Sequence, residues 1–489
     1  MNVLIFILLL LIMPVINIGS AWLIKNRSIS QVVHLISSFI ILLSGISLLV
    51  LIVNDGPLYL FNNYVYIDAF NAFFIMILVI VFFIVTIYSV GYIKVDISEN
   101  VISKRNVTYF FTGYHLFMLT IISVMILNNL ALVWIAIEFT TLASALLIAF
   151  YRRPSSLEAA WKYLIIGSLG ITLALFGILF LFAASTEVVS NTYDAFNWTV
   201  LMDIAADLDP MWVTIAFVFV LIGYGTKAGL APLHFWLPDA HSEAPSPISA
   251  MLSGVLLNTA LYGMLRIYLI VNETLQGAVQ TWLIFFGLFS IGLMVPFILV
   301  QRNYKRMLAY SSVEHIGVIV FGIGIGGPLG IYGAMLHTLN HSLVKSMLFM
   351  AAGNIFQKFK SMEMSRVTGL FNRMPFTSVV YTIGILAIAG TPPLNIFISE
   401  WTIMLAGFNA QKMLLTILFI TFILVIFAGM IVALARMTFG DANDDIVRGE
   451  VSLWTSIPLI IPLILVIGLA FYIPNAIETA ILQIVSMFN

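Results

Sequence analysis

Fourteen long apolar runs, joined by short polar connections, constrain this chain more than any other feature of its sequence. They fall at roughly 2–24, 31–53, 70–93, 108–127, 129–150, 163–185, 212–236, 247–271, 280–300, 307–325, 328–355, 376–408, 413–437 and 454–474. One bilayer crossing takes about 20 apolar residues. Backbone groups in hydrocarbon must be paired internally, so runs of this length must be helices. Alternating segments that would build a barrel are absent. The expected fold is an all-α integral membrane protein of about 14 transmembrane helices. The longest connections, 54–69, 186–211 and 356–375, are too short for a soluble domain, so 1–489 reads as a single transmembrane domain.

Charge supports this reading. Only 9% of the residues are charged, against about 25% in soluble domains. The net charge of −1 excludes a basic nucleic-acid surface. With no cysteine, the chain can hold no disulfide, thiolate metal site or cysteine-bound iron–sulfur cluster, and no redox centre of its own is expected. Met1 to Trp22 lacks a positive leader and is followed by Lys25 and Arg27, so it reads as a retained first span.

Positive residues collect in cytoplasmic loops. With the N-terminus outside, the inner loops receive Lys25, Arg27, Lys94, Lys104, Arg105, Arg152, Arg153 and Lys162, then Arg302, Lys305, Arg306, Lys358, Lys360, Arg366, Arg373, Arg436 and Arg448. The outer side receives Lys412, with Arg266 near an outer helix end. Both termini are therefore expected outside a cell membrane.

Two runs read as broken helices. Gly225-Thr-Lys-Ala-Gly-Leu-Ala-Pro232 interrupts the seventh, and Gly390-Thr-Pro392-Pro393-Leu-Asn395 the twelfth. Proline removes a helix hydrogen bond, and such irregularity survives at membrane depth only where protein or water surrounds it. The breaks lie five spans apart, an odd offset that reverses direction. Paired broken helices in inverted halves point to a transport site. The expected organisation is helices 1–3 (1–107), a first five-helix repeat (108–271), an inverted second repeat (280–437) and helix 14 (454–489).

Few charges remain once the loops are assigned, and each costs about 2.5–3.5 kcal/mol or more at a helix centre. Glu138 sits mid-run in the fifth span and Lys227 at the first break. Hydrocarbon favours a neutral amine and a nearby carboxylate an ammonium, so a lysine between them can load and release a proton. The bland alternative is a fixed ion pair. His337, His341 and Lys345 recur every four residues in the eleventh span, a stripe about 12 Å long on one helix face. Histidine passes protons near neutral pH, so the stripe reads as a relay. The rival is a metal site on His337 and His341, for which no third ligand is evident, so no metal is expected. Glu400, just after the second break, is a candidate exit acid. Glu314 and His315 are accessory candidates for which a helix-end salt bridge is an equal alternative. His234, Asp239, His241 and Glu243 crowd the connection after the first break, as an entrance or as a solvated loop. Lys162, Ser253 and Asn258 are further accessory candidates, and His115 reads as a packed core residue. No catalytic triad, Walker loop or dinucleotide fingerprint is present.

Gly225-Thr-Lys-Ala-Gly-Leu-Ala-Pro-Leu-His-Phe-Trp-Leu-Pro-Asp239, followed by Ala244-Pro-Ser-Pro-Ile-Ser-Ala250, resembles the antiporter-like membrane subunits of complex I, Mrp antiporters and membrane-bound hydrogenases. Lys305-Arg-Met-Leu-Ala-Tyr-Ser-Ser312, His337-x3-His341-x3-Lys345 and Gly390-Thr-Pro-Pro393 fit the same pattern. The resemblance covers nearly the whole chain. It implies fourteen helices with two inverted five-helix repeats, Glu138 and Lys227 as a coupled acid–lysine pair, His337, His341 and Lys345 as the central relay, and Glu400 as the residue leading outward. It implies a proton-translocating subunit beside other antiporter-like and small membrane subunits and a peripheral redox arm. Iron–sulfur clusters, a nickel–iron centre or quinone would belong to those partners. Some members carry a histidine where Ser253 stands, so water would have to bridge Lys227 to His337, with Ser253, Asn258 and Thr259 at hand. The chain ends soon after its fourteenth span without a long lateral helix. With Ser311-Ser-Val-Glu314-His315, this is most similar to the F-type membrane component of hydrogenase-4 and formate hydrogenlyase-like complexes. An Mrp-like Na⁺/H⁺ antiporter, a proton-coupled inorganic-carbon uptake subunit and a structural anchor are the alternatives.

Overall fold

Capping residues divide the apolar sequence into discrete helices. Asn26 and Asn129 accept from the first backbone N–H groups of their helices, Asp68 and Asn71 form a reciprocal cap, and Asp209 caps a helix opened by Pro210. The computed structural model describes residues 2–189, 194–441 and 446–488. In chain order it contains α1 (Asn2–Leu23), α2 (Arg27–Asp55), the hairpin strands β1 (Leu58–Leu60) and β2 (Val65–Ile67), α3 (Ala69–Ser98), α4 (Lys104–Ile126), α5 (Leu130–Ile148), α6 (Pro154–Thr186), α7 (Trp198–Asp203) and α8 (Pro210–Ala228). Then follow α9 (Trp236–Glu243), α10 (Ser246–Met251), a π-helical turn (Leu252–Leu256), α11 (Leu257–Leu275), α12 (Gln280–Val300), α13 (Tyr304–Ile325) and α14 (Gly327–Phe359). The chain closes with α15 (Leu370–Arg373), α16 (Pro375–Ile388), α17 (Asn395–Asn409), α18 (Met413–Phe439), α19 (Leu453–Ser456), α20 (Ile460–Phe471) and α21 (Asn475–Phe488).

Among the described residues, 12 helices are long and apolar enough to cross a membrane, with α10 to α11 and α19 to α20 each making one span. The other two expected crossings are the exceptions the sequence itself marks. α14 has 33 residues but carries the polar stripe, and the twelfth run is split into α16 and α17. Two details differ from the hydropathy reading. α6 begins at Pro154, nine residues before the expected 163, because proline opens a helix readily. Residues after 474 form α21, whose apolar side (Ala480, Ile481, Ile484, Phe488) is buried while its other side is polar. An amphipathic helix of that length gives no spanning signal.

The polar helices lie innermost. The α10–α11 span and α13 are enclosed on all sides, while α1, α6, α12, α18 and α20 turn much of their surface outward. Glycine brings several helices backbone to backbone, α6 with α8 and α12 with α13 among them. A Cβ on Gly223 of α8 would stand 2.5 Å from the Gly170 carbonyl of α6, and one on Gly177 would stand 2.6 Å from the Ala216 carbonyl. α12 and α13 are joined likewise, since a Cβ on Gly287 would meet the Phe321 nitrogen at 2.6 Å and one on Gly324 the Ile284 nitrogen at 2.6 Å. Such approaches admit no side chain.

Both expected breaks are present and end alike. α8 stops at Gly229 (φ +87°), with Leu230 N–H donating to Gly225 O, and α16 stops near Gly390 (φ +74°), with Thr391 N–H donating to Leu386 O. Each is a glycine-led C-cap in which a left-handed residue turns the chain off the helix. Pro232, Pro392 and Pro393 lie in the turns that follow, exposed at the surface. Protein satisfies the freed backbone groups: Ala231 N–H donates to Ser290 Oγ, Trp236 Nε1 to Thr226 O and Asn340 Nδ2 to Asn395 O.

Candidate functional site

Lys227 sits in the last turn of α8, sealed from solvent. Its Nζ donates to Thr141 Oγ1 at 2.6 Å and to Tyr163 Oη, and lies 4.5 Å from the Tyr163 ring centre. Thr141 stands one turn from Glu138 on α5 and donates to its Oε2 at 3.4 Å, while Ser168 of α6 donates to Oε1 at 2.7 Å. The acid and the lysine are therefore joined through a hydroxyl and make no direct ion pair.

Around α9 the candidates separate. Lys162 is exposed and pairs with Glu158 (2.6 Å) and Asp239 (3.0 Å); Arg306 also binds Asp239, at 2.8 Å. Glu243 accepts from Ser155 at 2.7 Å. This is a surface network tying α6, α9 and α13, and it does not bring Lys162 to Lys227. His234 is buried against the Phe297 ring, 6.3 Å away. His241 reaches deeper, stacked on Phe349 of α14 at 5.2 Å with neither ring nitrogen hydrogen-bonded among the described residues. Lys305, placed in an inner loop by the charge pattern, is buried and donates to Ser242 O (3.2 Å) and Ala244 O (3.0 Å), capping the end of α9.

The α14 stripe forms the second cluster, with His337, His341 and Lys345 all fully buried. Lys345 Nζ donates to Leu308 O at 2.6 Å and to Ser311 Oγ of α13. His337 Nε2 meets His315 Nδ1 at 2.9 Å, and its Nδ1 meets Ser399 Oγ at 3.0 Å. Glu400 follows Ser399, against the Gly390 notch of the second break. Glu314 and His315 are buried in mid-bundle, and Glu314 makes no ion pair among the described residues, so the helix-end salt bridge is not the arrangement found. The His341 ring lies 5.5 Å from His315 with both nitrogens unpartnered.

Between the clusters runs the α10–α11 span. Its π turn widens the helix at Ser253, whose Oγ lies 2.8 Å from Ser312 Oγ, beside the Ser311 that holds Lys345. Asn258 Nδ2 donates to Gly254 O at 3.0 Å, satisfying a carbonyl of the widened turn, and to Ser342 Oγ at 2.7 Å. Ser253 and Asn258 thus reach Ser312 and Ser342 on the helices around Lys345, Thr259 donates to the Val255 carbonyl of its own helix, and the resemblance aims all three at His337. π turns inserted in α-helices concentrate at functional sites. His115 is packed as expected, 3.1 Å from His34 and 3.4 Å from Asn17.

Three elements escaped the sequence reading. Thr141, Tyr163, Ser311 and Ser399, the hydroxyls that hold the charged groups, carry no distinguishing pattern. Arg266 forms a buried two-pronged ion pair with Asp68, at 2.8 and 2.6 Å. Third, one possible ligand atom each of His315, His337 and Glu400 lie within 4.8 Å of one another, donors of the kind a transition metal accepts. The facing nitrogens of the two histidines are already joined to each other, which favours a hydrogen-bonded chain over a metal centre.

Residues 128–427 match the family described as NADH:quinone oxidoreductase/Mrp antiporter, transmembrane. The chain is 37% identical over 401 residues to the hydrogenase-4 component F homolog of Methylacidiphilum infernorum (isolate V4), covering 82% of this chain and 83% of that protein. Its fold matches a chain in the membrane-bound sulfane sulfur reductase, an archaeal respiratory membrane complex, with a TM-score of 0.86 at 24% identity over 99% of both chains. It also matches a chain of the Mrp complex from Dietzia sp. DQ12-45-1b, with a TM-score of 0.87 at 16% identity over 99% of this chain and 98% of that one.

Proposed function

The chain belongs to the NADH:quinone oxidoreductase/Mrp antiporter transmembrane family as an antiporter-like membrane subunit, and on that footing we propose that it carries protons along the polar axis from Glu138 through Lys227 and Lys345 to Glu400. The supporting observation is how the two lysines are held. Neither has a carboxylate within ion-pair distance among the described residues; Lys227 is bound by two hydroxyls, and Lys345 by a hydroxyl and the Leu308 carbonyl. A hydroxyl can accept from an ammonium or donate to a neutral amine, so it suits both protonation states. A carboxylate serves only the charged one.

In this reading Glu138 biases Lys227 through Thr141, Ser253 and Ser312 carry the connection to Lys345, and His341, His315 and His337 pass the proton towards Ser399 and Glu400. Water completes the steps that side chains do not span, and the unpartnered nitrogens of His241 and His341 are its anchors. Helices α4 to α11 and α12 to α18 form the two inverted halves, each with one glycine-capped break. Both termini face outside, as the distribution of lysine and arginine favours. Moving one charge costs about 2.3 kcal/mol per 100 mV, so uphill transport draws on a partner, here a peripheral redox arm carrying iron–sulfur clusters, nickel–iron or quinone chemistry. The relatives matched above are components of hydrogenase, respiratory and Mrp complexes, which supports assembly with other membrane subunits.

Proton uptake into sealed vesicles tests the path. His341→Ala should abolish it while the protein still assembles; parental uptake in that variant would end the relay reading. Co-purification in mild detergent tests the partner, and isolation as a lone active transporter would remove the redox arm.

A further inference from the structure

Sharing no lining residue with the polar axis, α1, α2 and α4 enclose a pocket of about 230 Å³ at one end of the bundle. Lys25, Arg27, Ser30, Gln31 and His34 line it, with Trp22 beside them. No carboxylate contributes to its wall, and neither Lys25 nor Arg27 makes an ion pair among the described residues. Arg27 donates through Nη2 to the Lys104 carbonyl, while its Nη1 is buried without a hydrogen-bond partner. Two more cations, Lys104 and Arg105, open α4 at the same end, Arg105 lying 5.7 Å from the Tyr109 ring centre. Positive charge is therefore concentrated here, and a buried guanidinium nitrogen is left without an acceptor.

We propose that this pocket binds the phosphate of an anionic phospholipid. A guanidinium with a free nitrogen suits phosphate oxygens, and Lys25, Ser30 and Gln31 supply further donors. Trp22 and Tyr109 meet edge to face, with ring centres 5.8 Å apart, and Trp22 is more than half exposed. Exposed tryptophan and tyrosine sit at headgroup level, which sets the pocket at the depth of a lipid phosphate. One heptad along the same helix faces, the exposed Val15 of α1 and Leu116 of α4 continue an apolar surface for the acyl chains. A zwitterionic headgroup would bring its own cation against Lys25 and Arg27, so the site selects a net negative lipid. His34 forms the floor, tied to Ser30 at 3.3 Å and to His115 behind it, and so fixes the pocket's depth.

Native mass spectrometry of the full chain, with whatever subunits co-purify, tests this after reconstitution in phosphatidylglycerol or phosphatidylcholine. Phosphatidylglycerol should remain bound, with occupancy falling about fivefold for each charge removed in Lys25→Gln and in Lys25→Gln/Arg27→Gln. Phosphatidylcholine should be lost. Unchanged thermal unfolding of both variants in lipid-free detergent verifies that they fold; Lys25→Gln, exposed in the α1–α2 connection, keeps the test open if the double variant does not. Equal retention by Lys25→Gln, equal retention of phosphatidylcholine, or displacement by inorganic phosphate alone would each overturn the proposal.

Discussion

Arg266 and Lys345 are both enclosed by the bundle, yet they are held differently. Arg266 donates to both oxygens of Asp68, at 2.8 and 2.6 Å, and to Tyr262 Oη at 3.0 Å. Its guanidinium lies 4.3 Å from the Trp198 ring centre and 4.9 Å from that of Phe70, and the Trp198 indole donates to the Arg266 carbonyl at 2.7 Å. Lys345 has one carbonyl and one serine hydroxyl. A guanidinium stays protonated in proteins and matches a carboxylate in shape, so the first site is a permanent charge serving as a clamp between α3, α11 and α7. An amine held by neutral acceptors has no partner that demands its charge. Lys227, between Thr141 and Tyr163, follows the second plan.

The comparison can be broken at either end. The largest effect is expected from Lys345→Ala or Lys227→Ala: proton uptake should fall to the level of empty vesicles while yield and assembly hold, and near-parental uptake would erase the distinction. Next, Arg266→Met leaves Asp68 buried and unpaired and should lower stability by about 3–5 kcal/mol. Adding Asp68→Asn, which removes the charge and keeps the cap of α3, should restore much of the loss, with uptake per folded molecule unchanged throughout. Unaltered thermal unfolding of the single variant would show that the pair is no clamp. Swapping the cations sharpens the contrast. Lys345→Arg keeps the charge but should stop conduction, whereas Arg266→Lys should conduct normally with stability reduced by about 1–2 kcal/mol. The smallest effect belongs to Ser253→Ala, which should slow uptake about fivefold, the equivalent of one ordinary hydrogen bond.

The helices were legible because hydrocarbon leaves the backbone no alternative, and the breaks because glycine and proline stand inside apolar runs. The His337–His341–Lys345 stripe was visible for a local reason, since a four-residue spacing marks one face of one helix. Its companions were not. His315 is 22 residues from His337, Ser399 is 62, and Asp68 is 198 from Arg266, and no spacing rule relates residues on different helices. Hydroxyls are common in membrane helices, so Thr141 and Ser311 carry no mark of their task. The π turn at Ser253 leaves no mark in the apolar pattern, and α21 hides because half of it is polar.

The glycine seams have a mechanical consequence. Backbones that touch at Gly170–Gly223 and Gly287–Phe321 have no cushion of side chains to shear against, so α6 with α8, and α12 with α13, behave as rigid struts. Sliding of α6 against α8 is therefore not available as a switch for Lys227, and what changes there must be a side chain, a water molecule or α5, which carries Glu138 and Thr141 outside the seam. Slower displacements, of microseconds or longer, would have to arise outside these struts.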